Sequence, residues 1–181
     1  MPFSIIIAMD EKRGIGKAGQ IPWHLPSELK YFAQITKRQL PMDKQNAVVM
    51  GRKTWESLPA KNQPLKERLN VVISRNADYE VPSGVLKFSS LDEALRNVSG
   101  ADLRPLRPGI NRIFVIGGAQ IFSEAVKHPD LAELYLTEVA GDFDCDTFLP
   151  EWGKDRFKLV EESDTKQENG IKYRFLRYVR V

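Results

Sequence analysis

The sequence predicts a single-domain α/β protein with a mostly parallel, eight-stranded twisted sheet, helices on both faces and an antiparallel strand at its C-terminal end. Eight short apolar segments have the composition of strands, and helical patterns lie between several of them, which is typical of parallel sheets. Asn169-Gly170 separates the last two strand segments as a hairpin turn would. A chain of 181 residues suits one domain with a sizeable core, so we treat residues 1–181 as one unit.

The predicted strands are mostly continuous apolar runs, as expected for strands buried on both faces. They span residues 3–9, 46–50, 70–74, 85–88, 112–116, 134–139, 157–162 and 172–179. The predicted helices span residues 28–37, 53–58, 91–98 and 119–126. Ser27 and Ser90 are the expected N-caps of the first and third helices. Residues 10–26, 59–64 and 99–109 are rich in Gly, Pro and polar residues and are predicted loops.

Composition excludes several classes of function. Lys plus Arg is 27 and Asp plus Glu is 24, a small excess without a basic run, so nucleic acid is not an expected partner. Cys145 is the only cysteine, which fits a reducing compartment, and with two histidines it leaves no zinc ligand set. The alternating Asp142, Asp144 and Asp146 lack the glycine and glutamate of a calcium loop. Without a signal or membrane-spanning pattern, we expect a cytoplasmic protein, no membrane contact and no metal.

A glycine-rich stretch follows the first strand. Gly14, Gly16 and Gly19 formally match the G-x-G-x-x-G dinucleotide fingerprint, which requires a helix that opens directly on the glycines. Pro22 and Pro26 obstruct that helix, and no acidic residue ends a second strand about twenty positions later. We therefore interpret residues 14–20 as a mobile lid rather than a phosphate-binding turn.

Glu28 is a candidate functional acid in the first turn of its predicted helix. One interpretation is a solvated carboxylate that interacts favourably with the helix dipole. The other is a carboxylate held against apolar neighbours such as Leu29, Phe32 and Trp23. Such a group would have a raised pKa and could bind an amidine-like group or relay a proton. The pattern alone leaves both interpretations open.

Polar residues follow three predicted strands where each strand ends. Arg52, Lys53 and Thr54 follow one strand, Ser74-Arg75 end another, and Gly117-Gly118-Ala119 follow a third. Ligands of α/β sheets bind at the carboxyl ends of strands, and Arg with Ser or Thr suits phosphate oxygens. The three sites together predict a phosphate-rich ligand, with Ser74-Arg75 suited to a terminal phosphate monoester such as the 2′-phosphate of NADP. Arg68, close before a strand, could clamp another anion.

Together these segments resemble the dihydrofolate reductase family over essentially the whole chain. In order, the matching segments are Ile-Ala, Gly-Ile-Gly, Pro-Trp, the acid before Leu and Phe, Met-Gly-Arg-Lys-Thr-Trp-Glu-Ser, Ile-Gly-Gly, Tyr-Leu-Thr and Asp-Thr-Phe-Leu-Pro. The Gly-Ile-Lys-Tyr-Arg-Phe end resembles the eukaryotic branch. The resemblance implies a fold distinct from a true Rossmann fold, a monomer, and a target of antifolate inhibitors. Because the chain ends soon after the closing strand, we expect no fused thymidylate synthase.

The resemblance implies NADPH-dependent reduction of 7,8-dihydrofolate, with hydride passing to pteridine C6 and a proton to N5. Glu28 would hydrogen-bond the pteridine N3 and 2-amino groups, and Trp23 would hold an ordered water for proton delivery. Arg68 would clamp the glutamate α-carboxylate of the substrate. The full set of implied substrate contacts is Ile6, Ile7, Glu28, Leu29, Tyr31, Phe32, Thr54, Leu58, Asn62, Leu65, Arg68, Ile116, Phe122 and Thr137.

The resemblance also implies where NADPH binds. Implied contacts with the nicotinamide half are Ala8, Ile15, Gly16, Lys17, Gly19 and Gln20. Those with phosphates and the 2′-phosphate are Gly51, Arg52, Lys53, Thr54, Ser74, Arg75 and Asn76. Those near the pyrophosphate are Gly117, Gly118, Ala119, Gln120, Ile121 and Phe122, with a cis peptide between the two glycines.

Two features depart from the family pattern. Phe122 stands where many relatives have Tyr, so a hydroxyl contact is lost, and Cys145 lies in the loop expected to pack on the lid. Two other functions stay open: a related NADPH-dependent pyrimidine reductase of riboflavin synthesis, and a non-catalytic NADP or folate binder. A pyrimidine reductase would leave Trp23, Glu28 and Arg68 without an obvious role. A non-catalytic binder is expected to have lost the acid at position 28, which this chain keeps.

Overall fold

A twisted central sheet forms the framework of the protein in a computed structural model that describes residues 1–37, 44–99 and 109–181. The strands are β1 (Phe3–Met9), β2 (Gly14–Gly16), β3 (Lys44–Gly51), β4 (Arg68–Ile73), β5 (Leu86–Phe88), β6 (Gly109–Gly117), β7 (Leu131–Val139), β8 (Thr147–Phe148), β9 (Phe157–Glu162), β10 (Lys166–Glu168) and β11 (Ile171–Arg180). The helices are α1 (Pro26–Thr36), α2 (Arg52–Ser57), α3 (Leu91–Ser99) and α4 (Ala119–Ala125). Short 3₁₀ turns cover Ala60–Asn62 and Lys154–Arg156.

The strand order is β10-β11-β7-β1-β6-β3-β4-β5, and β9 also pairs with β11. All pairs from β7 to β5 in this order are parallel. Strand β11 runs antiparallel to β7, β9 and β10. The prediction of a mostly parallel α/β sheet with an antiparallel C-terminal end is therefore confirmed, and all eight predicted strands are present.

Helices cover the sheet on both faces because alternate strand residues point to opposite sides. Ile5 and Val49 belong to a large core cluster that includes α3 and α4 residues such as Leu95 and Ile121. Their neighbours Ile6 and Val48 belong to a second cluster with Trp55 of α2, and side chains of α1 pack against it. We call these the α3–α4 face and the α1–α2 face.

Three short strands were not predicted. β2, within the predicted loop 10–26, and β8 form a separate two-stranded antiparallel sheet, and β10 forms the hairpin with β11 across Asn169-Gly170. With three, two and three residues, these strands show no periodicity. The predicted loop 99–109 lies mostly outside the described residues, since 100–108 are not described.

One of the two predicted helix caps is wrong. Helix α1 begins at Pro26, and Leu25 at the N-cap position makes no side-chain cap bond. Proline favours the first helical position, so the helix starts before Ser27 and takes that residue into its first turn. The Ser90 cap is confirmed, because its Oγ accepts a hydrogen bond from the Glu93 amide at 3.2 Å. In the described part of the chain, no helix is long and apolar enough to cross a membrane.

Candidate functional site

The candidate site lies where parallel strands end. Gly51 pairs with Ile73 across β3 and β4, and Met50 pairs with Gly117 across β3 and β6. Three polar turns follow these residues, so the sheet brings all of them to its carboxyl edge. The register of these strands agrees with the prediction that three polar turns cluster at one edge, namely residues 52–54, 74–75 and 117–118.

Two glycines at this edge approach a threonine closely. The Gly117–Gly118 peptide is cis, as the resemblance implied. A Cβ on Gly117 would lie 2.9 Å from Thr54 Oγ1, and one on Gly118 would lie 3.0 Å from the same oxygen. Gly117 also has φ of 146°, a conformation that L side chains rarely adopt. The turn therefore requires glycine, because its backbone packs directly against Thr54 where α4 begins.

Cationic side chains surround this turn. Lys53 and Arg75 are exposed, and Arg75 Nη2 donates to Gln120 Oε1 of α4 at 3.3 Å. The Arg52 guanidinium lies 5.5 Å from the Tyr79 ring centroid. Ser74 is buried and accepts a hydrogen bond from the Asn76 amide at 3.3 Å. Arg75 and Gln120 thus bring the ends of β4 and α4 together, in the position expected for an anion-binding edge.

Glu28 is the buried acid of the site. Its side chain is on the α1–α2 face, and only 9% of the residue is exposed. Thr137 Oγ1 of β7 donates to Glu28 Oε1 at 3.4 Å. Burial raises the pKa of Glu28 from 4.5 to about 7, while the Thr137 hydrogen bond acts in the opposite direction. Within the described residues, no cation forms an ion pair with it. The structure therefore favours the desolvated acid over the solvated carboxylate.

Trp23 lies just before the helix of Glu28. Its ring is buried with Leu25, Val139 and Tyr173. It also packs edge-to-face with Phe143, with ring centroids 5.2 Å apart. The indole is thus fixed between the start of α1 and the segment after β7.

Apolar residues form a wall on the same face. Phe32, Leu58 and Ile116 pack against the cluster that contains buried Ile6 and Leu65. Leu29, by contrast, is 51% exposed at the rim, although it follows Glu28 directly. The apolar wall therefore has an exposed rim directly beside the buried acid.

Three further predicted residues lie in α1, in the turn between α2 and β4, and at the start of β4. Tyr31 stacks on Phe175 with ring centroids 3.9 Å apart, and burial raises its pKa to about 12. Asn62 ends a 3₁₀ turn between α2 and β4. Arg68 begins β4, and its Nη1 donates to Thr36 Oγ1 at 2.7 Å. The Arg68 guanidinium lies 5.8 Å from the Phe32 ring centroid, so this cation is oriented along the wall.

Two predicted contacts lie on the other side of the sheet. Ile7 packs with the cluster of the α3–α4 face, because it alternates with Ile6 along β1. Phe122 is 2% exposed and belongs to the same cluster through α4. The structure does not bring these two side chains into the wall beside Glu28.

The lid, residues 14–20, is attached to the segment that carries the three aspartates. Lys17 Nζ forms an ion pair with Asp144 at 2.8 Å, and the Ala18 amide donates to Asp146 Oδ2 at 2.7 Å. Lys12, just before the lid, pairs with Asp142 at 2.5 Å. Lid positions Ile15, Gly16, Gly19 and Gln20 lie on this anchored loop, with a turn in which the Lys17 amide donates to the Gln20 carbonyl.

Asp10 lies just before the lid and anchors its base, and sequence reasoning missed this residue. It is 3% exposed, and its carboxylate accepts from the amides of Lys12, Gly14 and Phe143 at 2.9, 2.7 and 3.2 Å. A Cβ on Gly14 would lie 2.5 Å from the Cβ of Cys145, so the lid base packs directly on that loop. An aspartate directly after a buried strand and before Gly14 was the available signal. The expected packing of the Cys145 loop on the lid is confirmed.

Among residues 1–37, 44–99 and 109–181, no group of three or more His, Cys, Asp or Glu side chains could hold a metal ion. A cavity of about 350 Å³ lies at the opposite, amino end of the parallel strands and is lined by Met1 and His128. His128 hydrogen-bonds Asp92 at 3.1 Å, and the Met1 amine lies 3.9 Å from Asp130. That cavity is separate from the acid and the glycine turn.

The fold and the geometry define an α/β protein with an enzyme-like small-molecule site at the carboxyl edge of a parallel sheet. Comparison with known proteins identifies the family. Residues 2–180 match the family model described as dihydrofolate reductase. The chain therefore belongs to the dihydrofolate reductase family of oxidoreductases.

Similar proteins include single-activity and bifunctional enzymes. The dihydrofolate reductase of Heliothis virescens is 39% identical, with 98% of this chain and 95% of that protein covered. The Sus scrofa enzyme is 39% identical over 98% of this chain and 97% of that protein. The bifunctional dihydrofolate reductase-thymidylate synthase of Glycine max is 40% identical, and the chain spans 34% of its length. The solved Schistosoma mansoni dihydrofolate reductase superposes with a TM-score of 0.86 at 33% identity, covering 100% of this chain and 99% of that one.

Proposed function

We propose that the protein reduces 7,8-dihydrofolate to 5,6,7,8-tetrahydrofolate, with NADPH as the cofactor. The observation that carries this proposal is the buried Glu28 carboxyl, with its pKa raised to about 7 beside an open apolar wall. Family membership supports the same reaction, because the named relatives of nearly equal length are dihydrofolate reductases.

Glu28 would recognise and protonate the substrate. Thr137 donates to Oε1, which orients the carboxyl plane and leaves Oε2 free of that bond. A carboxyl with a pKa near 7 is populated in both protonation states at neutral pH, as a general acid requires. In the ionised state it would accept hydrogen bonds from the pteridine N3 and 2-amino groups. In the neutral state it would release a proton towards N5, through a water held near Trp23.

The wall would bind the rest of the substrate. Phe32, Leu58 and Leu65 offer apolar surface for the pteridine and aminobenzoyl rings. Arg68 is oriented by its bond to Thr36 and by the Phe32 ring, so its guanidinium would clamp the glutamate α-carboxylate.

The residues at the carboxyl edge fit NADPH. When bound, this cofactor supplies the hydride that passes to pteridine C6. The glycine pair packs against Thr54, and the backbone N–H groups that follow it at the start of α4 would lie under the pyrophosphate. Lys53 and Arg75 are exposed for phosphate contacts, with Ser74 and Asn76 beside the expected 2′-phosphate. The lid and Ala8 would cover the nicotinamide.

The first experiment follows NADPH absorbance after dihydrofolate is added. We expect dihydrofolate-dependent oxidation by the wild type and a loss of about 10²-fold or more in kcat/KM for Glu28→Gln at neutral pH, since a positioned acid contributes about that much. Glu80→Gln removes an exposed carboxylate and is the matched control. No dihydrofolate-dependent oxidation by the wild type would refute the proposed reaction, and full activity of Glu28→Gln would refute the role of that acid.

A second experiment tests the cofactor assignment. Arg75→Ala should narrow the preference for NADPH over NADH, because the exposed guanidinium would otherwise pair with the 2′-phosphate. The readout is the ratio of kcat/KM values for the two cofactors, and Arg96→Ala on α3 is the control. An unchanged ratio for Arg75→Ala would contradict the assignment.

A further inference from the structure

The helix that carries Glu28 takes its cap from a distant hairpin. Leu25 at the N-cap position provides no side-chain acceptor for the first turn of α1. Glu168 of β10 fills this role, because the Ser27 amide donates to Glu168 Oε2 at 2.9 Å and Ser27 Oγ donates to Oε1 at 3.1 Å. Amide bonds to a carboxylate at a helix N-terminus are charge-assisted and favoured by the helix dipole. One side chain thus satisfies both donors of Ser27.

The turn of the hairpin fixes the position of this carboxylate. Asn169 and Gly170 have φ of 52° and 75°, as a two-residue hairpin turn of the Asn-Gly type requires, and Glu168 pairs with Ile171 across it. Asn169 Nδ2 also donates to the His24 carbonyl at 3.0 Å. Two consecutive hairpin residues therefore hold the chain on both sides of Pro26.

Side chains of strand β11 also pack against α1 and the residues just before it. Tyr173 is buried against Trp23, and Phe175 stacks on Tyr31 with an interplanar angle of 18°. Phe175 also pairs in register with Thr137, the residue that donates to Glu28. The hairpin and the donor to the acid thus belong to one rigid part of the sheet.

We propose that Glu168 is a positioning residue for the active-site acid: its carboxylate fixes the first turn of α1 and thereby the direction in which Glu28 meets the substrate. This inference rests on the proposed function for its catalytic consequence. The Glu168 carboxylate contacts Ser27 rather than the reacting atoms, so its effect is transmitted through the helix start. Loss of the cap would let residues 27–28 move while the sheet stays folded.

The test compares Glu168→Ala with Glu168→Gln and Gln167→Ala. Glutamine keeps an acceptor for the Ser27 amide and a donor for its hydroxyl, so it should retain most of the function. Gln167 is an exposed neighbour on the same strand and serves as the control. Ser27→Ala is a second, milder variant, because it loses the hydroxyl bond and keeps the amide bond.

Amide hydrogen exchange on the ligand-free protein is the first readout. In Glu168→Ala the Ser27 and Glu28 amides should exchange about tenfold faster, as expected for loss of a hydrogen bond to a charged group. Ser27→Ala should show a smaller increase, and Gln167→Ala should match the wild type. Unchanged exchange at these amides in Glu168→Ala would overturn the inference whatever the activity.

Steady-state kinetics is the second readout. The KM for dihydrofolate should rise roughly fivefold in Glu168→Ala and return close to wild type in Glu168→Gln, while the KM for NADPH stays unchanged. A matching rise in both KM values would indicate general loosening and refute a positioning role. If the wild type does not oxidise NADPH with dihydrofolate, the proposed function fails, and hydrogen exchange alone decides whether Glu168 anchors the helix.

Discussion

Replacement of Glu28 by Gln should stabilise the ligand-free protein at high pH and leave its stability nearly unchanged at low pH. Glutamine has almost the same shape as glutamic acid but carries no charge at any pH. Burial disfavours the ionised carboxylate, and the Thr137 hydroxyl offsets only part of that penalty. The substitution therefore removes a destabilising charge while it preserves the packing of α1.

The size of the effect follows from the pKa. A rise from 4.5 to about 7 corresponds to roughly 3 kcal/mol of unfavourable free energy for the buried carboxylate. Below pH 4.5 the group is neutral in both folded and unfolded protein, so no penalty exists. Between pH 4.5 and 7 the folded protein binds more protons than the unfolded chain, so stability falls as the pH rises. Above pH 7 the full penalty applies, and Glu28→Gln avoids it.

Urea unfolding at several pH values between 4 and 8 measures this difference. The free energy of unfolding of Glu28→Gln should exceed that of the wild type by about 3 kcal/mol at pH 8 and converge with it near pH 4. Glu80→Gln, at an exposed position, should track the wild type throughout. A difference between Glu28→Gln and wild type that does not change with pH would show that Glu28 is well solvated, and would refute the desolvated acid.

Two further predictions concern the same edge of the sheet. Gly117→Ala should lower the free energy of unfolding by about 2 kcal/mol or more, because the new Cβ would meet a hydroxyl oxygen at 2.9 Å with φ of 146°. Gly84→Ala, with φ of 89° but no atom within 4 Å of the new Cβ, should lose only about 1 kcal/mol, and equal losses in urea unfolding would contradict the clash. Thr137→Val removes a hydrogen bond to the ionised form, so it should raise the pKa of Glu28 further. The fall in stability, which begins near pH 4.5 in both proteins, should then extend to a higher pH and be larger in total, and a smaller total fall would exclude the role of that hydroxyl.

The parallel strands were predictable because burial on both faces leaves a continuous apolar run. Val48 and Val49 lie side by side in β3 and enter opposite core clusters, and both belong to one unbroken run of the sequence. The Gly117-Gly118 pair after one such strand indicated the carboxyl edge for the same local reason. β2 and β8 could not be predicted, since two or three residues carry no period and their pairing joins distant segments.

Whether Glu28 is buried or solvated could be decided only from the tertiary structure. The sequence placed an acid among apolar neighbours, but its hydrogen-bond donor, Thr137, is 109 positions away. The Ser27 cap was wrong because the helix begins at Pro26, and the residue that Ser27 contacts instead, Glu168, is 141 positions away. The ion pairs that anchor the lid, such as Lys17 with Asp144, could not be predicted either. The sequence around Asp144 shows only an incomplete calcium loop and gives no sign of a partner near residue 17. Local patterns thus indicated candidate residues, while the partners of those residues depended on the fold.

The sequence separation between Ser27 and Glu168 affects when their hydrogen bonds can form during synthesis of the chain. Protein synthesis proceeds at about 5–20 residues per second, so the 141 positions between them correspond to roughly 7 to 30 s. During that interval α1 exists without its distant acceptor, and Glu28 has no Thr137 beside it until residue 137 has also been made. A ribosome that stalls before β10 would therefore hold a nascent chain with most of the parallel strands made and the acid helix still unanchored.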